Sequence, residues 1–115
     1  KPIAEFQMIQ SKIADMYVWV EAMKALNFKV LAEANDLEVG GGGRGMIHAQ
    51  TAASIMYTAN MLNRVLDEAV QVHGGFGYMW ESEVNRLYRG NKLLEIGAGT
   101  TEVRKMIISR ELLKK

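Results

Sequence analysis

Residues 47–72 read IHAQTAASIMYTANMLNRVLDEAVQV, a run with neither proline nor glycine in which Ala52, Met56, Ala59, Leu62, Leu66 and Val70 follow one another at steps of three and four. Such steps put the six side chains on one stripe of an α-helix, whereas a strand would need strict alternation. Small residues in the first half of the run let a neighbouring backbone come close. Upstream, residues 5–35 carry Ile9, Ile13, Met16, Val20 and Met23 at the same spacing, and Leu26, Val30 and Leu31 extend the stripe with some drift. A second long helix is predicted there. Between the two, Gly40-Gly41-Gly42-Gly43 has too much backbone freedom for regular structure and reads as a connector. Downstream, His73-Gly74-Gly75-Phe76-Gly77 and Gly97-Ala98-Gly99 punctuate two shorter helices, predicted over 83–94 and 101–113. Two long and two short helices, with no alternating pattern and no internal repeat, predict an all-α domain, an up-and-down four-helix bundle.

Composition agrees with one helical domain. A chain of 115 residues buries roughly two thirds of its unfolded surface and can hold its own core. One proline, eight methionines and 49% hydrophobic residues favour long helices. Fourteen Lys plus Arg against thirteen Asp plus Glu leave a net charge of +1, and no basic run of the kind that binds a phosphate backbone is present, which argues against nucleic acid. There is no cysteine, hence no disulfide framework and no thiolate metal site. No apolar stretch approaches the 18 or so residues of a membrane span, and no signal-peptide pattern opens the chain, so a soluble protein without membrane partners is expected. The opening Lys1-Pro2-Ile3 lacks an initiator methionine, as expected of a fragment or a processed chain.

Two segments could carry chemistry. In Gln71-Val72-His73-Gly74-Gly75-Phe76-Gly77, glycines at a helix end let backbone N–H groups approach a bulky partner, although glycine after a helix is also the ordinary C-cap. His73 has only the distant His48 as a companion, which gives no metal site. In Glu95-Ile96-Gly97-Ala98-Gly99-Thr100-Thr101-Glu102-Val103-Arg104, a glycine-bearing turn runs into a helix whose first N–H groups suit an anion. Thr100 or Thr101 could equally be a plain N-cap, with Glu102 favoured by the helix dipole. Arg86, Arg89 and Lys92 lie between the two segments, either as a ligand-facing set or as a solvated face. A ligand shared by both loops is one expectation. No Ser-His-Asp order and no metal cluster is visible.

The run from Gln71 to Leu113, QVHGGFGYMWESEVNRLYRGNKLLEIGAGTTEVRKMIISRELL, resembles the C-terminal signature of acyl-CoA dehydrogenases, and EFQMIQSKIADMY near the start resembles the helix that opens that domain. The resemblance covers nearly the whole chain and keeps family order and spacing. It implies a four-helix C-terminal domain that packs homo-oligomers, tetramers in the family, and supplies part of an FAD site, partly to a neighbouring subunit. In that family a carboxylate removes the α-proton of an acyl thioester while the β-hydrogen passes as hydride to the flavin, so the cofactor does the redox chemistry. Carried over by position, Phe6, Gln7, Gln71, Val72, His73, Gly74 and Gly75 would contact the dinucleotide, with Thr100, Thr101 and Glu102 on its phosphate or ribose side. Gly97, Ala98 and Gly99 would face the acyl group. The partners implied are an acyl-CoA substrate and electron-transfer flavoprotein, in the cytoplasm of a bacterium or the mitochondrial matrix of a eukaryote.

Two departures sharpen the reading. Where many members carry Tyr-Glu-Gly-Thr with the catalytic glutamate, this chain has Gly97-Ala98-Gly99-Thr100, and Ala98 cannot take a proton. The isovaleryl-CoA type is similar in its small Gly-Ala pair and takes its glutamate from an earlier helix, so no catalytic residue is expected in this chain. Losing two bulky side chains opens room for a short branched acyl group. At Gly90-Asn91 the family commonly has Asp-Ala, which puts a local ion pair in doubt, and a mid-helix glycine costs about 1 kcal/mol relative to alanine. Two other readings stay open: a non-catalytic helical oligomerisation module, and a relative of the flavin-dependent acyl-CoA hydroxylase or nitroalkane-oxidising type. A degenerate copy would have little physical reason to keep both glycine loops in order.

Overall fold

The computed structural model describes residues 1–35 and 45–114. After a single 3₁₀ turn at Ile3–Glu5 come α1 (Gln7–Asn35), α2 (Met46–His73), α3 (Gly75–Tyr78), α4 (Glu83–Ile96) and α5 (Thr101–Leu112). The four longer helices match the predicted ones to within one or two residues, and the bundle is all-helical among the described residues. Gly40 to Gly43 lie outside the described residues. The one-turn α3 stands where the glycines of His73-Gly74-Gly75-Phe76-Gly77 predict only a loop. It forms because Gly74, at φ 63°, ends α2 and the chain re-enters helix at once, with Gly77 N–H donating to Gly74 O at 2.9 Å. A Cβ on Gly77 would lie 2.6 Å from Val70 O and 2.8 Å from His73 Cβ, so only glycine lets α3 fold back this closely on the end of α2.

Helix α2 is the hub. α1, α3, α4 and α5 all pack on it, and the buried Ala49, Ala52 and Ala59 let those neighbours come near, while Leu66 fills the other half. Burying that leucine contributes about 2 kcal/mol. α1 runs antiparallel to α2, as cross-links at both ends establish. Lys12 Nζ pairs with Glu68 Oε2 at 2.8 Å, and Asn27 Oδ1 accepts from Thr58 Oγ1 at 3.1 Å and from the buried Ser54 hydroxyl. α4 is antiparallel to α2 as well, with Asn91 Nδ2 donating to Ala59 O at 3.1 Å. The result is a rod 58 × 25 × 25 Å.

On α1 the predicted stripe is only partly buried. Met23 and Val30 are in the core, but Ile13 and Leu31 are 47% and 56% exposed. Eighteen residues separate them, five turns at about 3.6 residues each, so they share a face. That face points away from α2, the one long helix that α1 packs on among the described residues.

Candidate functional site

The turn between α4 and α5 is tightly specified. Ala98 adopts φ 56° and Gly99 φ 115°, so a non-glycine residue sits in the left-handed region, a placement that costs about 1–2 kcal/mol. A Cβ on Gly97 would come 3.1 Å from Leu93 O. Thr100 is the N-cap of α5, its Oγ1 accepting from Val103 N–H at 3.1 Å. That cap bond uses one lone pair of Oγ1 and leaves its O–H free to donate. Thr101 Oγ1 is buried without a partner, and Glu102 stands exposed in the first turn.

Arg104, which the sequence reading did not single out, clamps this turn. It is 7% exposed, and its guanidinium donates to Leu94 O at 2.8 Å and to Gly97 O at 3.1 Å. A cation thus satisfies carbonyls that the end of α4 would leave unpaired. Ala98 and Gly99 then form one wall of a cavity of about 200 Å³, faced by His48, Ala52 and Ile55 of α2 and by Ile107 of α5. Its lining combines small and aliphatic side chains with the polar His48, Thr51 and Arg104. Among the described residues no acidic side chain lines it.

At the other end of α2, Gly74 N–H donates to Gln71 O at 3.1 Å, which is the C-cap. His73 is exposed, and its Nδ1 lies 2.8 Å from Ala69 O, a bond that makes Nδ1 the protonated nitrogen. A Cβ on Gly75 would meet nothing within 4 Å, so the backbone there is open to a partner. Phe6 is half exposed, with the Lys1 ammonium 5.0 Å from its ring centroid. Continuing the register of Lys12 opposite Glu68 puts Gln7 beside His73. Phe6 and Gln7 therefore share one end of the bundle with Gln71, Val72, His73, Gly74 and Gly75.

The two glycine turns are not brought together within one chain. Thr51 lines the cavity at Ala98, and twenty-two residues of α2 separate it from His73, roughly 33 Å along the helix axis. Nor do the basic residues of α4 form one set. Arg86 bonds Glu83, which holds the guanidinium pKa above its ordinary value. Lys92 bonds Glu95 at 2.7 Å, with the same direction and cause. Only Arg89 is without an ion pair among the described residues. The expected departure at Gly90-Asn91 also takes form: Asn91 is buried, bonded to Ala59 O, while its Oδ1 has no partner. A Cβ on Gly90 would meet nothing within 4 Å. Among the described residues no group of three His, Cys, Asp or Glu could hold a metal, and no helix is long and apolar enough to cross a membrane.

The family model for the acyl-CoA dehydrogenase C-terminal domain matches residues 1–113. Over 114 residues the chain is 42% identical to the mitochondrial isovaleryl-CoA dehydrogenase of Oryza sativa subsp. japonica, covering 99% of this chain and 26% of that protein. It is 37% identical over 117 residues to a subunit of the caffeyl-CoA reductase-Etf complex of Acetobacterium woodii, covering 100% of this chain and 28% of the other. Among solved structures, butyryl-CoA dehydrogenase from Megasphaera elsdenii superposes with a TM-score of 0.86 at 33% identity, over 99% of this chain and 28% of that one. The chain thus spans about a quarter of the length of these relatives.

Proposed function

The chain belongs to the acyl-CoA dehydrogenase family through that family's C-terminal domain, and on this premise we propose that it is the helical, FAD-contacting and oligomer-forming part of an enzyme that dehydrogenates a short, branched acyl-CoA at its α and β carbons. Bound FAD would supply the hydride acceptor. Phe6, Gln7 and residues 71–75 would lie along the dinucleotide at one end of the rod, and Thr101, Glu102 and the first N–H groups of α5 along it at the other. The residues fit such a group: Gly75 leaves its backbone open, and the buried Thr101 hydroxyl has no partner. Because the two ends are roughly 33 Å apart, one cofactor would draw its two edges from two copies of the chain. Electron-transfer flavoprotein is the proposed acceptor, a reading supported by the relative named as part of an Etf complex.

The observation that carries the acyl part is the turn at Ala98. Ala98, a side chain without a proton-accepting group, lines a small cavity whose aliphatic part is Ala52, Ile55, Val103 and Ile107 and whose polar part is His48, Thr51 and Arg104, so the base would come from elsewhere in the enzyme and the turn would give room to a branched carbon. Gly75→Ala in the flavin-loaded enzyme tests the cofactor reading. The substitution adds a methyl into open space, so melting of the flavin-free protein should not move, while bound flavin per protein should fall severalfold and the extra stability that flavin confers should fall with it. Full flavin content in that variant would refute the contact. Turnover should favour isovaleryl-CoA over straight medium chains, and the reverse preference would end the branched-chain part.

A further inference from the structure

A cavity of about 600 Å³ opens between residues 78–81 and the first half of α4, on side chains that neither glycine turn uses. Its walls are mostly aromatic and apolar: Tyr78, Met79, Trp80 and Tyr88. The volume falls within the range of small-molecule sites, roughly 300–1,000 Å³, and the lining is of the kind such sites use, although the groove is open, with Tyr78 83% and Trp80 72% exposed. What distinguishes it from a chance groove is Arg89. The guanidinium carbon sits 3.7 Å from the centroid of the Trp80 ring, and Nε donates to Asn85 Oδ1 at 2.7 Å. Asn85 in turn donates from Nδ2 to Tyr78 O at 3.3 Å, tying the 78–81 segment to the helix. The arginine is therefore held in place through its Nε and its flat face. Its two terminal nitrogens have no hydrogen bond and no carboxylate among the described residues, whereas the neighbouring Arg86 and Lys92 are each satisfied within their own helix.

A guanidinium fixed in this way presents a pair of N–H groups in the geometry that a carboxylate accepts with both oxygens. The aromatic walls call for a flat apolar body. Glu81, which also lines the cavity, disfavours a ligand with more than one negative charge, and so weighs against a nucleotide phosphate. We propose that this cavity is a binding site for an aromatic monocarboxylate, its ring among Tyr78, Trp80 and Tyr88 and its carboxylate on Arg89. The site is independent of the cofactor reading and would stand if that reading failed.

Calorimetric titration of the protein with 2-naphthoate at low ionic strength tests it, with the neutral 2-naphthylmethanol as the matched control. At the efficiency usual for ligands of this size, the acid should bind with a Kd on the order of 1 mM. The alcohol should bind about tenfold more weakly, since it cannot use the charged fork. Arg89→Met should remove that preference, and Arg89→Lys should restore only part of it, because an ammonium lacks the paired donors. Glu81→Gln, a change at an exposed position that leaves the fold intact, should tighten the acid about two- to threefold at low salt. The Trp80 indole resonance should shift on titration while that of Trp19 does not. Acid and alcohol binding alike, no binding at tenfold that concentration, an unshifted Trp80 resonance or a Glu81→Gln variant that binds less well would each overturn the proposal.

Discussion

Ser82 and Thr100 both occupy N-cap positions, yet their hydroxyls do different things. Thr100 accepts from Val103 N–H, whereas Ser82 is 2% exposed, makes no cap bond and has no partner for Oγ. A cap hydroxyl contributes about 1 kcal/mol, while a buried hydroxyl with no partner is a cost that an apolar group of the same shape avoids. Thr100→Ala should therefore lower stability by about 1 kcal/mol, and Ser82→Ala should leave it unchanged or raise it slightly, as read from urea midpoints. Equal losses in the two variants would mean that Ser82 does find a partner. Ala98 offers a second residue-level test. Its φ of 56° is strained for any residue with a Cβ, so Ala98→Gly should gain roughly 0.5–1 kcal/mol in the same assay. A loss would show that the turn is not strained. That a threonine caps α5 could be read from the sequence, since threonine before an acidic first turn has a local cause, but the choice of Thr100 over Thr101 could not. The left-handed backbone of Ala98 could not, because it is imposed by the way Arg104 and Gly97 close the turn.

Between elements, the joint of α4 and α5 depends on one side chain. Arg104→Met keeps the apolar stem but removes two charge-assisted bonds to carbonyls, and should cost about 3 kcal/mol. Arg104→Lys should recover only part, since an ammonium does not span both Leu94 O and Gly97 O as the fork does. A loss under about 1 kcal/mol in thermal melting for the methionine variant would remove Arg104 from this role. Nothing in the sequence announced it, because its acceptors lie ten and seven positions upstream, in another helix and in a turn. Helix periods were legible for the opposite reason, being repeated every turn, and even so the period on α1 could not say that Ile13 and Leu31 fall beyond the reach of α2. The first turn of α4 adds a pH test. The hydrogen bond from Arg86, and then its charge, hold the Glu83 carboxyl below its ordinary value. A lowered folded-state pKa stabilises above the unfolded carboxylate value, near 4.3, and that contribution is lost as pH falls through the folded value. Arg86→Gln should thus melt slightly below the parent at pH 7, with the gap closing in acid and in high salt. A gap that persists in acid would assign the effect to packing.

At the scale of the whole molecule, the hub arrangement leaves one face of the rod without a neighbour among the described residues. Ile13, Tyr17, Phe28 and Leu31 are all exposed, and at 100° per residue they lie within about 60° of one another on α1. An exposed apolar strip of that kind is the usual mark of a contact surface. The roughly 33 Å between the two glycine turns points the same way, because a cofactor that uses both kinds of turn must take them from different copies. Residues 1–115 on their own should therefore self-associate, with the mean mass by light scattering rising as concentration rises. Replacing both Tyr17 and Phe28 by lysine should return the chain to a monomer without loss of helicity, since neither side chain is in the core. A chain that stays monomeric at high concentration, or a double variant that still associates to the same extent, would show that this face of α1 is not the one that joins copies.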